Sequence, residues 1–215
     1  ASIADFNGGN HTNDTVIAGR FDGMALRPAS SSSTFNATVT PIFTNTQILV
    51  AGVAFRIGSL PSSGNFRDLL TFDSSSGTEV GVAVNSSGGL RGFRLSNSTN
   101  IEESAAGIVN PNQWYYLEMK VTIANSGSYE VHLDGANVVD GTGDTQQTNA
   151  FADRVRLLGK TTATANIVQV DYDDFYLLDT SGSPNDFLGP RHIYPIFPNA
   201  AGDDAELTPN TGSNY

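Results

Sequence analysis

The stretch WYYLEMKVTI at 114–123 limits what this chain can fold into more than any other. Tyr115, Leu117, Met119, Val121 and Ile123 alternate with Tyr116, Glu118, Lys120 and Thr122. A period of two places the first set on one face of a β-strand and the second on the other, whereas a helix would scatter both around its axis. ANSGS then supplies a Gly-containing turn, and YEVHLDG resumes the alternation with Tyr129, Val131 and Leu133 inward. Two such runs joined by a short loop predict a hairpin with one face in a core and the other in water.

The pattern recurs along the chain. ILVAGVAFRIG sets Leu49, Ala51, Val53, Phe55 and Ile57 on one face. DLLTFD and EVGVAVNSSGGLRGFRLS give three more short strands, with 85–89 as a turn, and ADRVRLLGK and ANIVQVDYDDFYLLD read as closing strands. No twelve-residue window carries a helical stripe. Apolar residues make up 39% and charged residues 15%, and Gly, Ser, Thr and Asn fill the intervals. Short strands about every ten residues, separated by turn formers, predict an all-β, two-sheet antiparallel jelly-roll sandwich. At 215 residues the chain suits one domain with a substantial core.

Composition also excludes function classes. A net charge of −11 argues against nucleic acid, which needs a basic face. The absence of cysteine removes disulfides, zinc thiolates and cysteine nucleophiles. The longest apolar run, 48–55, is too short to cross a bilayer, so no membrane partner is expected.

Two regions depart from the strand pattern. Residues 1–18 are expected to be an irregular N-terminal segment ahead of a sandwich at 19–182. From 183 to 215 a C-terminal arm follows, and the 32 residues from Pro184 onward hold five of the nine prolines. Proline cannot donate to a ladder, so the arm is not central strand. It still carries Phe187, Leu188, Ile193, Tyr194, Ile196 and Phe197, too apolar a set for a free tail. These six are expected to dock the arm, and an adjacent subunit is the expected site.

VDYDDFYLLD, at 170–179, raises the main question of chemistry. The alternation Val168, Val170, Tyr172 leaves Phe175 and Leu177 on the wrong face, and a β-bulge at Asp173–Asp174 would repair the register. Carboxylates at such a bulge are ordinarily satisfied by loop amides. Asp171, Asp173 and Asp174 are also calcium candidates, but not as an EF-hand: Tyr176 stands where that loop needs Gly, and Gly182 where it needs Glu. No cofactor is expected, and calcium is the one that these residues could suggest.

A glycosidase needs two carboxylates flanking the scissile bond. Of the six glutamates, Glu102–Glu103 sit in a loop, and Glu118 and Glu130 lie on the outward face of the predicted hairpin beside Lys120, read as a solvated surface. His11, His132 and His192 have no metal-ligand spacing. No catalytic constellation emerges, and the chain is expected not to be an enzyme. Trp114 and Tyr116, outward on the strongest strand, are the candidates for stacking against a glycan, with Trp114 packing beneath a loop as the alternative.

GRFDGMALR (19–27), ILVAGVAFRIGSLPSSG (48–64), NPNQWYYLEMKVTIANSGSYEVHLDG (110–135), GDTQQT (143–148) and YDDFYLLDTSGSPNDFLG (172–189) occur in an order that resembles one family. It is the concanavalin A-like, laminin-G-like jelly-roll proteins of tailed bacteriophages and prophages, and the similarity runs from Gly19 to Tyr215. Residues 1–18 are more polar than the family's opening segment, and the stop at Tyr215 leads to the expectation of truncation, processing or a gene that ends early. The resemblance implies a virion structural protein: a capsid decoration or cement protein, or a tail-fibre component. Its partners would be other virion proteins and further copies of the chain in a symmetric assembly. A lectin-like, carbohydrate-binding module for host-surface glycans is the alternative.

Overall fold

The computed structural model describes residues 15–21, 23–28, 37–39, 43–94, 99–158 and 168–193. Every regular element among them is a strand. In chain order these are β1 (Thr15–Ala18), β2 (Met24–Arg27), β3 (Ala37–Val39), β4 (Ile48–Ile57), β5 (Phe66–Ser74), β6 (Gly77–Asn85) and β7 (Leu90–Arg94). After them come β8 (Thr99–Glu103), β9 (Trp114–Thr122), β10 (Gly127–Leu133), β11 (Ala136–Gly143), β12 (Arg154–Leu158) and β13 (Val170–Leu178).

The strands form two antiparallel sheets. One runs β1-β2-β13-β4-β9-β10-β11 and the other β3-β12-β5-β6-β7-β8. The all-β, two-sheet jelly-roll sandwich read from the sequence is the observed architecture. β9 and β10 pair as the expected hairpin, with Leu117 opposite Leu133, Met119 opposite Val131 and Val121 opposite Tyr129.

The inward set of each strand makes one core. Leu49, Ala51, Val53, Phe55 and Ile57 of β4 and Tyr115, Leu117, Met119 and Val121 of β9 face Leu70, Phe72, Val80, Val82, Val84, Leu90, Val155 and Leu157 of the other sheet. Each large apolar side chain buried there contributes about 1.5–3 kcal/mol. Two tyrosines also cross the core and tie the sheets by hydrogen bonds. The Tyr129 hydroxyl donates to the Gly81 carbonyl at 3.0 Å, and the Tyr172 hydroxyl lies 2.8 and 2.9 Å from the Leu69 and Leu158 carbonyls. Gly92 makes room for the first ring, since a Cβ there would lie 2.5 Å from Tyr129 Cε1.

The bulge in β13 is present. Asp173 pairs with Ala54, but Tyr176 pairs with Gly52, so Asp174 and Phe175 oppose Val53 alone. Asp174 takes the strained φ of 50°. Before it Val170 and Tyr172 enter the core; after it Phe175 and Leu177 pack there, while Asp174 and Tyr176 turn outward.

One sequence expectation is corrected at the N-terminus. Thr15–Ala18 lies inside the segment read as irregular, yet it pairs in register with Met24–Arg27 as the edge of the seven-stranded sheet. Four residues are too few for periodicity to register.

At one end of the sandwich a buried glutamate secures a loop. Glu79 is fully buried. It accepts the Ser74 hydroxyl at 2.6 Å and the backbone N–H groups of Gln147, Thr148 and Asn149 at 2.7–3.1 Å. A buried carboxylate ringed by amide donors is stable only while all of them are in place.

Candidate functional site

The outer face of the seven-stranded sheet carries aromatic and charged side chains in cross-strand rows. Register sets Val50 opposite Lys120, Gly52 opposite Glu118, Ala54 opposite Tyr116 and Arg56 opposite Trp114. β13 extends these rows on one side through Leu178, Tyr176, Asp173 and Asp171, and β10 on the other through Glu130 and His132.

The first row is Arg27–Asp171–Arg56–Trp114. Arg27 donates from Nε and Nη2 to the two Asp171 carboxylate oxygens at 2.7 and 2.9 Å. Arg56 donates from Nε and Nη2 to Oδ2 at 3.1 and 2.8 Å. Hydrogen bonding to Asp171 raises the Arg27 pKa. Arg56 also lies over the indole of Trp114, 4.8 Å from its centroid, a cation–π contact. Trp114, Arg56 and Arg27 are all partly exposed.

The third row is Tyr176–Gly52–Glu118–His132. Tyr176 lies flat over Gly52, where a Cβ would come within 2.1 Å of its ring. Glycine in mid-strand thus lets the phenol span β4 and donate to Glu118 Oε1 at 2.6 Å. Tyr116 stacks on Tyr176 at 6.4 Å and donates its hydroxyl to the Asp174 carbonyl at 3.0 Å. Arg20 reaches over Tyr116 at 5.3 Å. Burial pushes both phenols well above the usual tyrosine range; for Tyr176 the bond to Glu118 adds to this, and for Tyr116 the charges of Glu118 and Asp174 do. Burial likewise raises the Asp174 carboxyl.

A strap covers this part of the face. Residues 184–193 turn back from β13 and cross the sheet. Lys120 Nζ donates to Asp186 at 3.0 Å, and Phe187 stacks on His132 at 3.9 Å. The N–H groups of Leu188, Gly189 and Ile193 donate to Tyr176 Oη, Glu118 Oε1 and Asp174 Oδ1 at 3.2, 2.8 and 2.8 Å. Beneath it Val50, Ala54, Tyr116 and Tyr176 form a small second apolar cluster with Leu178, Phe187 and Leu188.

Several sequence expectations change here. Tyr116 and Glu118 point outward as read, but both are 0% exposed, so neither is a solvated or stacking surface while the strap is docked. Glu130 is half-buried and bonds His132 at 2.8 Å. Phe187 and Leu188, expected at a subunit contact, pack on the chain's own sheet, and Ile193 remains 41% exposed. Tyr194, Ile196 and Phe197 lie outside the described residues.

The three aspartates do not form a calcium site. Asp171 is taken by two arginines; Asp173 accepts the Arg20 and Asp174 N–H groups at 2.8 and 2.9 Å. Among the described residues no group of three or more His, Asp or Glu converges as a metal site. Strand periodicity assigned no role to Arg20, Arg56 or Gly52. The one signal for a covered outer face was ILVAGVAF, apolar on both faces, as a doubly buried strand reads.

No family model and no curated protein matches the sequence. Solved structures do match its fold. An endo-β-1,4-glucuronan lyase from the fungus Trichoderma reesei is 13% identical with a TM-score of 0.58, over 80% of this chain and 90% of that one. The alginate lyase Aly36B is 11% identical with a TM-score of 0.55, over 81% and 87%. The binding domain of Paraclostridial Mosquitocidal Protein 1 is 11% identical with a TM-score of 0.54, over 79% and 44%. These identities show a shared β-sandwich of the jelly-roll kind. The expectation that the chain is not an enzyme does not stand, because two of these sandwiches, each matched over about four-fifths of this chain, are lyases.

Proposed function

We propose that the chain recognises carbohydrate on the outer face of its seven-stranded sheet. The observation that carries this reading is the row Trp114–Arg56–Asp171–Arg27, which sets one guanidinium group over a half-buried indole and a second beyond the carboxylate that orients both. An indole offers a flat apolar surface to the C–H face of a sugar, and guanidinium N–H groups donate to hydroxyls or carboxylates. Two arginines against one aspartate leave the row with one net positive charge, on a chain of net charge −11. An anionic sugar unit, such as a uronic acid, matches that local excess.

The fold supports the reading in a general way. Two enzymes built on it are lyases of glucuronan and alginate, and a third is the binding domain of a mosquitocidal protein. The full-length protein, screened against neutral and uronic-acid polysaccharides, is expected to retain the latter. Trp114→Ala and Arg56→Gln should each weaken retention about tenfold. Absence of binding to every polymer, or wild-type binding by both variants, would overturn the reading. A reducing-end assay on the retained polymer reads whether it is also cleaved.

The setting we propose for this recognition is a tailed-phage virion, as a decoration, cement or fibre component whose partners are other virion proteins and further copies of the chain. It rests on the similarity of segments 110–135 and 172–189 to that family. Mass spectrometry of purified particles checks it.

A further inference from the structure

We propose that residues 184–193 are a displaceable strap whose backbone amides stand where saccharide hydroxyls would bind, so that strap docking and ligand binding at Glu118, Tyr176 and Asp174 exclude one another. The inference rests on the carbohydrate reading above and concerns the regulation of that same face.

The contacts themselves suggest substitution. The strap does not add a strand to the sheet. It offers three N–H donors, at 2.8–3.2 Å, to a carboxylate, a phenol oxygen and a second carboxylate. A sugar hydroxyl is the same kind of donor at the same reach, and carboxylates on a protein face are suited to receive it.

The fit is also incomplete. Glu118 is fully buried and Asp174 is 6% exposed, yet Glu118 Oε2 and Asp174 Oδ2 have no hydrogen-bond partner among the described residues. Arg20 Nη1 beside them is likewise unpartnered. Buried polar atoms ordinarily find partners, and here two acceptors and one donor are left over beneath the strap. A ligand with several hydroxyls and one anionic or acceptor oxygen would satisfy all three.

The attachment is light as well. Its ion pair, Lys120–Asp186, is solvent-exposed and therefore weak. Its aromatic contacts, Phe187 on His132 at 3.9 Å and His192 on Phe21 at 4.7 Å, are between rings that all keep some exposure. Gly189 sits at φ 75°, a conformation that glycine alone adopts without strain, with nothing within 4 Å of where a Cβ would lie. Gly189→Ala therefore loosens the strap through its backbone without touching the face beneath.

Two full-length variants test the inference, Gly189→Ala and Asp186→Lys combined with Phe187→Ala. Near-ultraviolet circular dichroism, dominated by the tyrosines and Trp114, verifies their fold. Both are expected to bind the uronic-acid polymer about tenfold more tightly than wild type, the gain from a larger binding-competent fraction. In wild type, polymer should speed hydrogen exchange at the Leu188, Gly189 and Ile193 amides. Equal affinity in folded variants and wild type, with strap exchange unchanged by polymer, overturns the inference and leaves the carbohydrate reading standing. No binding by any of the three proteins overturns both.

Discussion

On the outer face of the six-stranded sheet, charges find partners on the next strand. Arg156 of β12 pairs with Asp73 of β5, and Arg91 of β7 lies 3.9 Å from Glu103 of β8 while covering the Phe66 ring at 4.2 Å. On the outer face of the seven-stranded sheet the Arg27–Asp171–Arg56 row pairs in the same way, but Tyr176 of β13 reaches across β4 to Glu118 of β9, and the strap adds a donor to that carboxylate. Nearest-neighbour pairing draws on residues that the ladder already fixes in register. Pairing that skips a strand leaves a face dependent on a removable segment, and such a face is the one a ligand can compete for.

The comparison breaks most sharply at Glu118. Glu118→Ala strands the Tyr176 hydroxyl and the Gly189 amide under cover, and is expected to cost about 3 kcal/mol in urea unfolding. Glu118→Gln keeps an acceptor and should recover part of that loss. An alanine variant as stable as wild type would mean that the face does not depend on its strand-skipping bond.

Gly81 sharpens it from the other side. A Cβ there would lie 2.7 Å from Phe93 Cζ and Thr71 Cγ2 and 2.9 Å from the Leu70 carbonyl. Phe93 is fully buried and the carbonyl belongs to the ladder, so Gly81→Ala should cost about 2 kcal/mol. At Gly52 the nearest atoms to an added Cβ belong to the Tyr176 ring and not to backbone, so Gly52→Ala displaces a side chain that the strap holds. It should cost less while speeding exchange across the strap.

The smallest effect is a pH dependence. Burial lifts Asp68, on the six-stranded outer face, to about 6, against the opposing pull of Arg67, Arg156 and Arg91 and with a push from Asp73. The folded chain therefore holds this proton where the unfolded chain has released it. That contribution is complete below pH ~4, where the unfolded carboxyl also binds its proton, and is lost as pH rises through about 6. Asp68→Asn should flatten this part of the stability profile by about 1 kcal/mol, discounted because the side chain is partly exposed. An unchanged slope would assign the titration to another group.

The strands were legible because their physics is local. The 114–133 hairpin, the inward set of β4 and the bulge after Asp173 all follow from a period of two and its single interruption. What covers a face is not local. Tyr116 and Glu118 alternate as wet residues should, and are buried only because a segment about 70 residues further on returns over them. Arg67 misleads in the opposite sense: it pairs across from Val84 on the core side and is 3% exposed, where polarity alone predicts water. Strand order is equally hidden, since β13 inserts between β2 and β4 through contacts that no periodicity encodes.

Glu79 bears on the lifetime of the native state. It joins β6 to amides 68 to 70 positions away in a chain without cysteine. Those bonds form only after β6 is in place and the 147–149 loop has closed, so the entropy of closing a long loop puts them late on the folding path. An interaction absent from the transition state leaves the folding rate alone and governs unfolding. Glu79→Gln is therefore expected to speed unfolding more than it slows folding, as stopped-flow unfolding in urea would read, which makes this carboxylate a latch on the lifetime of the folded sandwich.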